Sequence, residues 1–327
     1  MPRLGLEPRT RWLRASCSTK LSYRGGGLVG PSVDTLSYRP VTEVQDPRVP
    51  SLCAIVFRRE RQFEALVTQI RVLILRAAGT NCDAETQYAW ELAGARAARV
   101  HVRRLIERPQ MLAEYQVLTI PWGFSYGDDI AAGRILAAQL ARHLIGAIHG
   151  FIDAGKLVLG ICNGFQVLVQ AGILPFRRRC EGPRHCTVTT NQPAGFQDRW
   201  VHLHSGSERC VFLEPGRAYE MPIAHGEGRV MFASEADLGA VVAGGQNVLT
   251  YESPPGGTRH SPGEPFNPNG SRADIAGLCD ESGRVLGLMP HPERFVTWTQ
   301  HPCWTSRPAR AEGDGLALFR RAVRYFE

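Results

Sequence analysis

The sequence predicts a doubly wound, mostly parallel α/β sheet with helices on both faces and appended antiparallel strands, on three observations. Residues 157–159 form a continuous apolar run, as in strands buried on both faces, and the largely apolar runs 72–75 and 117–120 also read as strands. Between them, apolar residues recur every three or four positions, the helical period. The connections are short, as parallel strands with crossover helices require.

Taken in order, residues 72–75 read as a strand, and 83–92 as a helix with Ala84, Tyr88 and Leu92 on one stripe and Gly94 closing it. Residues 100–102 and 117–120 are further strands. Leu136, Leu140, Leu144, Ile148 and Ile152 lie four apart and predict one long helix ending at Gly155. The run 157–159 predicts the next strand, with a helix opening at Gly164 and Phe165. From 175 to 252 the chain is richer in Val, Thr, Phe and Tyr, and runs such as 187–190 and 209–213 read as antiparallel strands added to the main sheet. The Pro- and Gly-rich stretch 253–271 reads as a long surface loop. An apolar strand then leads into Pro290, and a helix over about 315–326 places Leu316, Phe319, Val323 and Phe326 on one face.

With 327 residues, 43% of them hydrophobic, the chain can bury one large core or two small ones. Its net charge of +7 does not indicate nucleic acid. Residues 1–66 hold 11 Arg and Lys against 6 Asp and Glu, leaving 27 against 25 elsewhere, and no basic stripe is interleaved with aromatics. Nine cysteines without a repeated Cys-x-x-Cys pair indicate neither a zinc site nor a disulfide framework, and fit a reducing cytoplasm. No apolar run reaches the length of a membrane span. Residues 1–66 lack sustained periodicity and read as a disordered leader, or as a gene-model artefact resembling a translated tRNA gene, with true initiation near Val67. Residues 67–327 form the domain.

Chemistry concentrates at Cys162, set between the strand at 157–159 and the helix that follows, with Gly160 and Gly164 on either side. A residue in such a strand-to-helix turn is backbone-strained and exposes its side chain at the sheet edge. The helix N-terminus is expected to favour its thiolate. A cysteine nucleophile needs a base and a group that orients the base. Pro290-His291-Pro292-Glu293-Arg294 supplies both, its proline stiffening the link between imidazole and carboxylate. His225, in Ala-His-Gly-Glu-Gly-Arg, either lines the mouth of the site or faces a partner. His202 and His204 alternate along a strand and read as ordinary structural residues.

The Gly-Ile-Cys-Asn-Gly-Phe-Gln elbow and the Pro-His-Pro-Glu-Arg strand end resemble the triad-type glutamine amidotransferases. Residues 78–83, 123–129 and 224–229 narrow the resemblance to the glutaminase subunits of phosphoribosylformylglycinamidine synthase, from about residue 70 onward. This resemblance implies a flavodoxin-like sheet. It also implies hydrolysis of L-glutamine to glutamate and ammonia by Cys162, His291 and Glu293, with Gly123 and Asn163 as oxyanion donors and Gln166 on the substrate. Ammonia would pass to a large synthetase subunit, with a small third subunit, for ATP-dependent conversion of formylglycinamide ribonucleotide to its amidine. ATP and magnesium are expected on that partner, with no cofactor or metal on this chain. Phe124, Ser125, Tyr126, Asp128 and Asp129 would lie near the glutamine pocket and the synthetase. One residue departs from the pattern: Trp122 stands where the family has glycine, and a positive φ there would disfavour it. Two other functions remain open, a non-catalytic docking subunit and a stand-alone cysteine hydrolase.

Overall fold

The computed structural model describes residues 69–128, 130–177, 184–254 and 266–327. The chain divides into units 1–62 and 63–327, and the described residues all lie in the second. The expected leader, Asp129 and the middle of the 253–271 segment fall outside the described residues.

Five strands run parallel in the order β2 (Arg96–His101), β1 (Arg71–Arg76), β3 (Val117–Ile120), β4 (Leu157–Ile161), β11 (Val285–Leu288). Leu288 lies opposite Ile161, so β4 and β11 end side by side. The sheet continues antiparallel through β10 (Ile275–Cys279), β9 (Leu249–Glu252), β6 (Gln197–His204) and β7 (Ala218–His225). β5 (Cys186–Thr190) and β8 (Glu227–Phe232) form a separate two-stranded sheet and are not added to the main one.

Strand order reverses at β1, and right-handed crossovers therefore place the helix after β1 on the face opposite to those after β3 and β4. α1 (Asp83–Leu92) packs with α7 (Leu316–Arg324) on one face, Trp90 lying edge-on to Phe319 at 5.0 Å. α3 (Arg134–His143), α4 (Ile145–Asp153) and α5 (Asn163–Gln170) belong to the other. The short α2 (Val102–Glu107) follows β2, and α6 (Glu235–Ala243) follows β8.

Several expectations need correction. α1 buries Thr86, Ala89 and Trp90, whereas Tyr88 and Leu92 are exposed. The large indole decides the face: it is fully buried and its Nε1–H donates to Thr119 Oγ1 at 3.0 Å. The single helix over 136–152 is two helices bent by 76° at Leu144, whose φ of −126° is non-helical. Both halves bury the same stripe, which hides the break from periodicity. The second strand covers Arg96–His101, and a helix begins at Val102. Residues 209–213 are turns that bury Cys210, Phe212 and Leu213 without a ladder. The end of the 253–271 segment is interior: Asn269 is fully buried, donating from Nδ2 to Gly228 O at 2.9 Å and to Tyr251 Oη at 3.2 Å.

Candidate active site

Cys162 sits alone between β4 and α5 with φ 49° and ψ −99°, the strained elbow expected, but its side chain is buried rather than exposed at the sheet edge. Its flanking glycines are needed for closeness. A Cβ on Gly164 would lie 1.9 Å from Ile120 O, and one on Gly160 would lie 2.7 Å from Gly164 O. The Cys162 N–H donates to Leu288 O at 2.7 Å, continuing the β4–β11 ladder into the elbow.

That pairing delivers the base. His291 follows β11 by three residues, and its N–H is held by Pro222 O at 2.9 Å. Pro292–Arg294 forms one 3₁₀ turn, which folds Glu293 back so that Oε1 lies 2.9 Å from His291 Nδ1. Both side chains are completely buried. A carboxylate only accepts, so Nδ1 carries the proton and Nε2 presents a bare lone pair. His291 Nε2 has no hydrogen-bond partner among the described residues.

The cysteine corrects one expectation. Burial pushes the Cys162 thiol well above its ordinary pKa, and the Glu293 charge pushes it in the same direction. The Asn163 backbone N–H and Arg294 oppose this without reversing it. The resting sulfur is thus a thiol, because dehydration outweighs a single helix end.

Cys162 opens into a cavity of about 200 Å³ that also includes Gly123, Asn163, Gln166 and His225. Roomier cavities of about 280 and 480 Å³, around Phe151 and Arg217, contain no cysteine. Gly123 pairs with Thr80 in an isolated antiparallel bridge, with Phe124 N–H to Gly79 O at 2.8 Å and Asn81 N–H to Trp122 O at 3.2 Å. In that pattern the N–H of the central residue points away from its partner strand, leaving the Gly123 N–H free to face the cavity. The backbone at Trp122 is not left-handed, so the indole causes no strain there. Gln166 is buried, with Nε2 on Glu227 O and Oε1 accepting from Asn163 Nδ2 at 3.1 Å.

His225 is at the cavity rather than on an outer surface. Asn191 donates to Gly195 O and His225 O, so its Oδ1 accepts, from Gly228 N–H at 2.9 Å and from His225 Nδ1 at 3.2 Å. Burial and the nearby His291 lower the His225 pKa to about 3, keeping the ring neutral. His202 stands apart, 3.8 Å from Glu220, and His204 lies further along β6. Sequence reasoning missed Asn191, Pro222 and Phe196, whose contacts to the site come from distant parts of the chain. Among the described residues no group of three His, Cys, Asp or Glu side chains could hold a metal, and no single helix is long and apolar enough to cross a membrane.

A family model described as a CobB/CobQ-like glutamine amidotransferase domain matches residues 69–326. Phosphoribosylformylglycinamidine synthase subunit PurQ of Dehalococcoides mccartyi is 44% identical over 260 residues, covering 79% of this chain and 98% of that protein. The subunit of the same name from Methanococcus maripaludis is 37% identical over 267 residues, covering 78% and 97%. A chain in the solved structure of PurLQS from Thermotoga maritima superimposes with a TM-score of 0.58 at 28% identity, over 80% of this chain and all of that one.

Proposed function

Because the chain belongs to the CobB/CobQ-like glutamine amidotransferase family and to its PurQ branch, we propose that it is the glutaminase subunit of a phosphoribosylformylglycinamidine synthase. It releases ammonia from glutamine for de novo purine biosynthesis. The observation that carries the mechanism is the buried Glu293–His291 pair, which leaves one imidazole nitrogen without a partner in the segment following β11, the strand that ends beside the one leading into Cys162.

His291 Nε2 takes the thiol proton as the sulfur attacks the side-chain amide carbon of glutamine. The developing oxyanion is received by the Gly123 and Asn163 N–H groups, each worth a few kcal/mol when pre-aimed. Collapse breaks the C–N bond, His291 returns the proton to the departing nitrogen, and ammonia leaves. Water, deprotonated by His291, then hydrolyses the thioester to glutamate and regenerates the thiol. Glu293 holds the imidazole in the required tautomer and stabilises its cation. Gln166 contributes to the glutamine pocket through whichever amide valences its protein contacts leave free. Because burial keeps the sulfur protonated, proton transfer to His291 accompanies attack.

Ammonia freed into water would be protonated and lost, so a synthetase subunit receives it. The exposed Phe124 and Phe196 at the cavity and the neighbouring Ile130 support docking at this mouth. ATP and magnesium belong to that partner, a small third subunit completes the assembly, and the assembly works in the cytoplasm. The test is Cys162→Ala in the reconstituted complex. Glutamine-dependent amidine formation should disappear while ammonia-dependent formation persists. Loss of both would assign Cys162 a structural role.

A further inference from the structure

The Trp122 indole makes contacts that the triad and oxyanion donors do not account for. The Arg294 guanidinium lies over the indole at 4.3 Å. The His291 ring meets it nearly perpendicularly, at 5.2 Å and 83°, and Phe124 meets it at 5.3 Å. The Trp122 carbonyl is held by the Asn81 and Cys82 N–H groups, both at 3.2 Å, so the indole projects from a fixed backbone.

We infer that Trp122 is a positioning residue for His291, a role that rests on the thioester mechanism above. His291 is otherwise fixed at its backbone N–H and at Nδ1. A ring held at one nitrogen can still pivot about that hydrogen bond, which would swing Nε2 away from the sulfur. The indole packs against the imidazole and blocks the pivot. It also touches both ends of the His-Pro-Glu-Arg turn, at His291 and Arg294, while the next residue in the chain is Gly123. The same side chain therefore ties the strand carrying an oxyanion donor to the turn carrying the base.

The test compares Trp122→Leu and Trp122→Phe in the full chain, assayed for glutamine hydrolysis with the synthetase partner and with Cys162→Ala in parallel. Leucine keeps apolar bulk without a π face. It should lower kcat about tenfold or more, since misplacing a catalytic group by an ångström can cost about 10²-fold, while KM for glutamine stays within about twofold. Phenylalanine should recover kcat to within about threefold of the parent. Trp122→Leu with an unchanged kcat, a rise in KM alone, or failure of phenylalanine to rescue would each overturn the inference. Residual turnover in Cys162→Ala would overturn the thioester mechanism instead.

Discussion

Replacing Gly164 with alanine separates the elbow's geometry from its residue type. The added Cβ would lie 1.9 Å from Ile120 O and 2.8 Å from Ile120 C, both backbone atoms of β3, so no side chain can turn aside to admit it. Restoring a tolerable 3 Å contact requires α5 to retreat from β3 by about 1 Å. Overpacking costs about 1–3 kcal/mol, and a clash with backbone belongs at the top of that range. At roughly 2–4 °C per kcal/mol for a domain of this size, Gly164→Ala should melt about 10 °C below the parent. Cys162 and the Asn163 N–H travel with the helix, so glutamine turnover should fall about 10²-fold. Gly150→Ala is the control. A Cβ there meets nothing within 4 Å, and alanine inside α4 should stabilise by about 0.5–1 kcal/mol. Calorimetry on both variants decides: a Gly164→Ala protein that melts within about 2 °C of the parent and keeps its turnover would refute the close-approach argument.

Three further outcomes are expected. Glu293→Gln should lower kcat about 10²–10⁴-fold with little change in KM, because an amide can present its N–H to Nδ1 and favour the wrong tautomer; steady-state kinetics with glutamine test it. Asn191→Ala strands the Gly228 N–H and unties His225, and should cost about 3 kcal/mol in urea denaturation. Stability should also fall in alkali. Burial holds Cys186 and Cys210 at about 12 and raises Cys162 as well, against an ordinary value of 9.0. Above pH 9 the unfolded chain releases these protons while the folded chain retains them, so each thiol removes about 1 kcal/mol of stability per pH unit up to its folded pKa. Denaturant midpoints that stay flat between pH 9 and 11 would contradict this.

The sequence was most informative where one local pattern has one outcome. Val117–Ile120 and Asp83–Leu92 appear with the limits read from their residues, since a short, largely apolar run and a helical stretch closed by Gly94 leave few alternatives. The helical period could not choose between two faces of α1, where a single tryptophan outweighs a stripe of Ala, Tyr and Leu. It also could not detect the bend at Leu144. Asn267, Asn269 and Ser271 look like surface residues, and become interior only because they hydrogen-bond one another and their neighbours. At the site, Cys162, His291 and Glu293 stand in short motifs and were legible. Their supports were not, because Pro222 under His291 and Asn191 beneath His225 meet them only through strand pairing and chain reversal.

The register of β4 on β11 has an evolutionary corollary. Leu288 sits across from Ile161, so the reach from sheet to imidazole is measured out by two residues, Met289 and Pro290. Adding or deleting one residue in that spacer would shift the ring by about 3.3 Å and turn it to the opposite side. The excursion between Leu174 and Arg284 is tied to the same place, because its Pro222 O takes the His291 N–H and its Glu227 O takes Gln166 Nε2. The dipeptide ahead of His291 therefore tolerates no change in length.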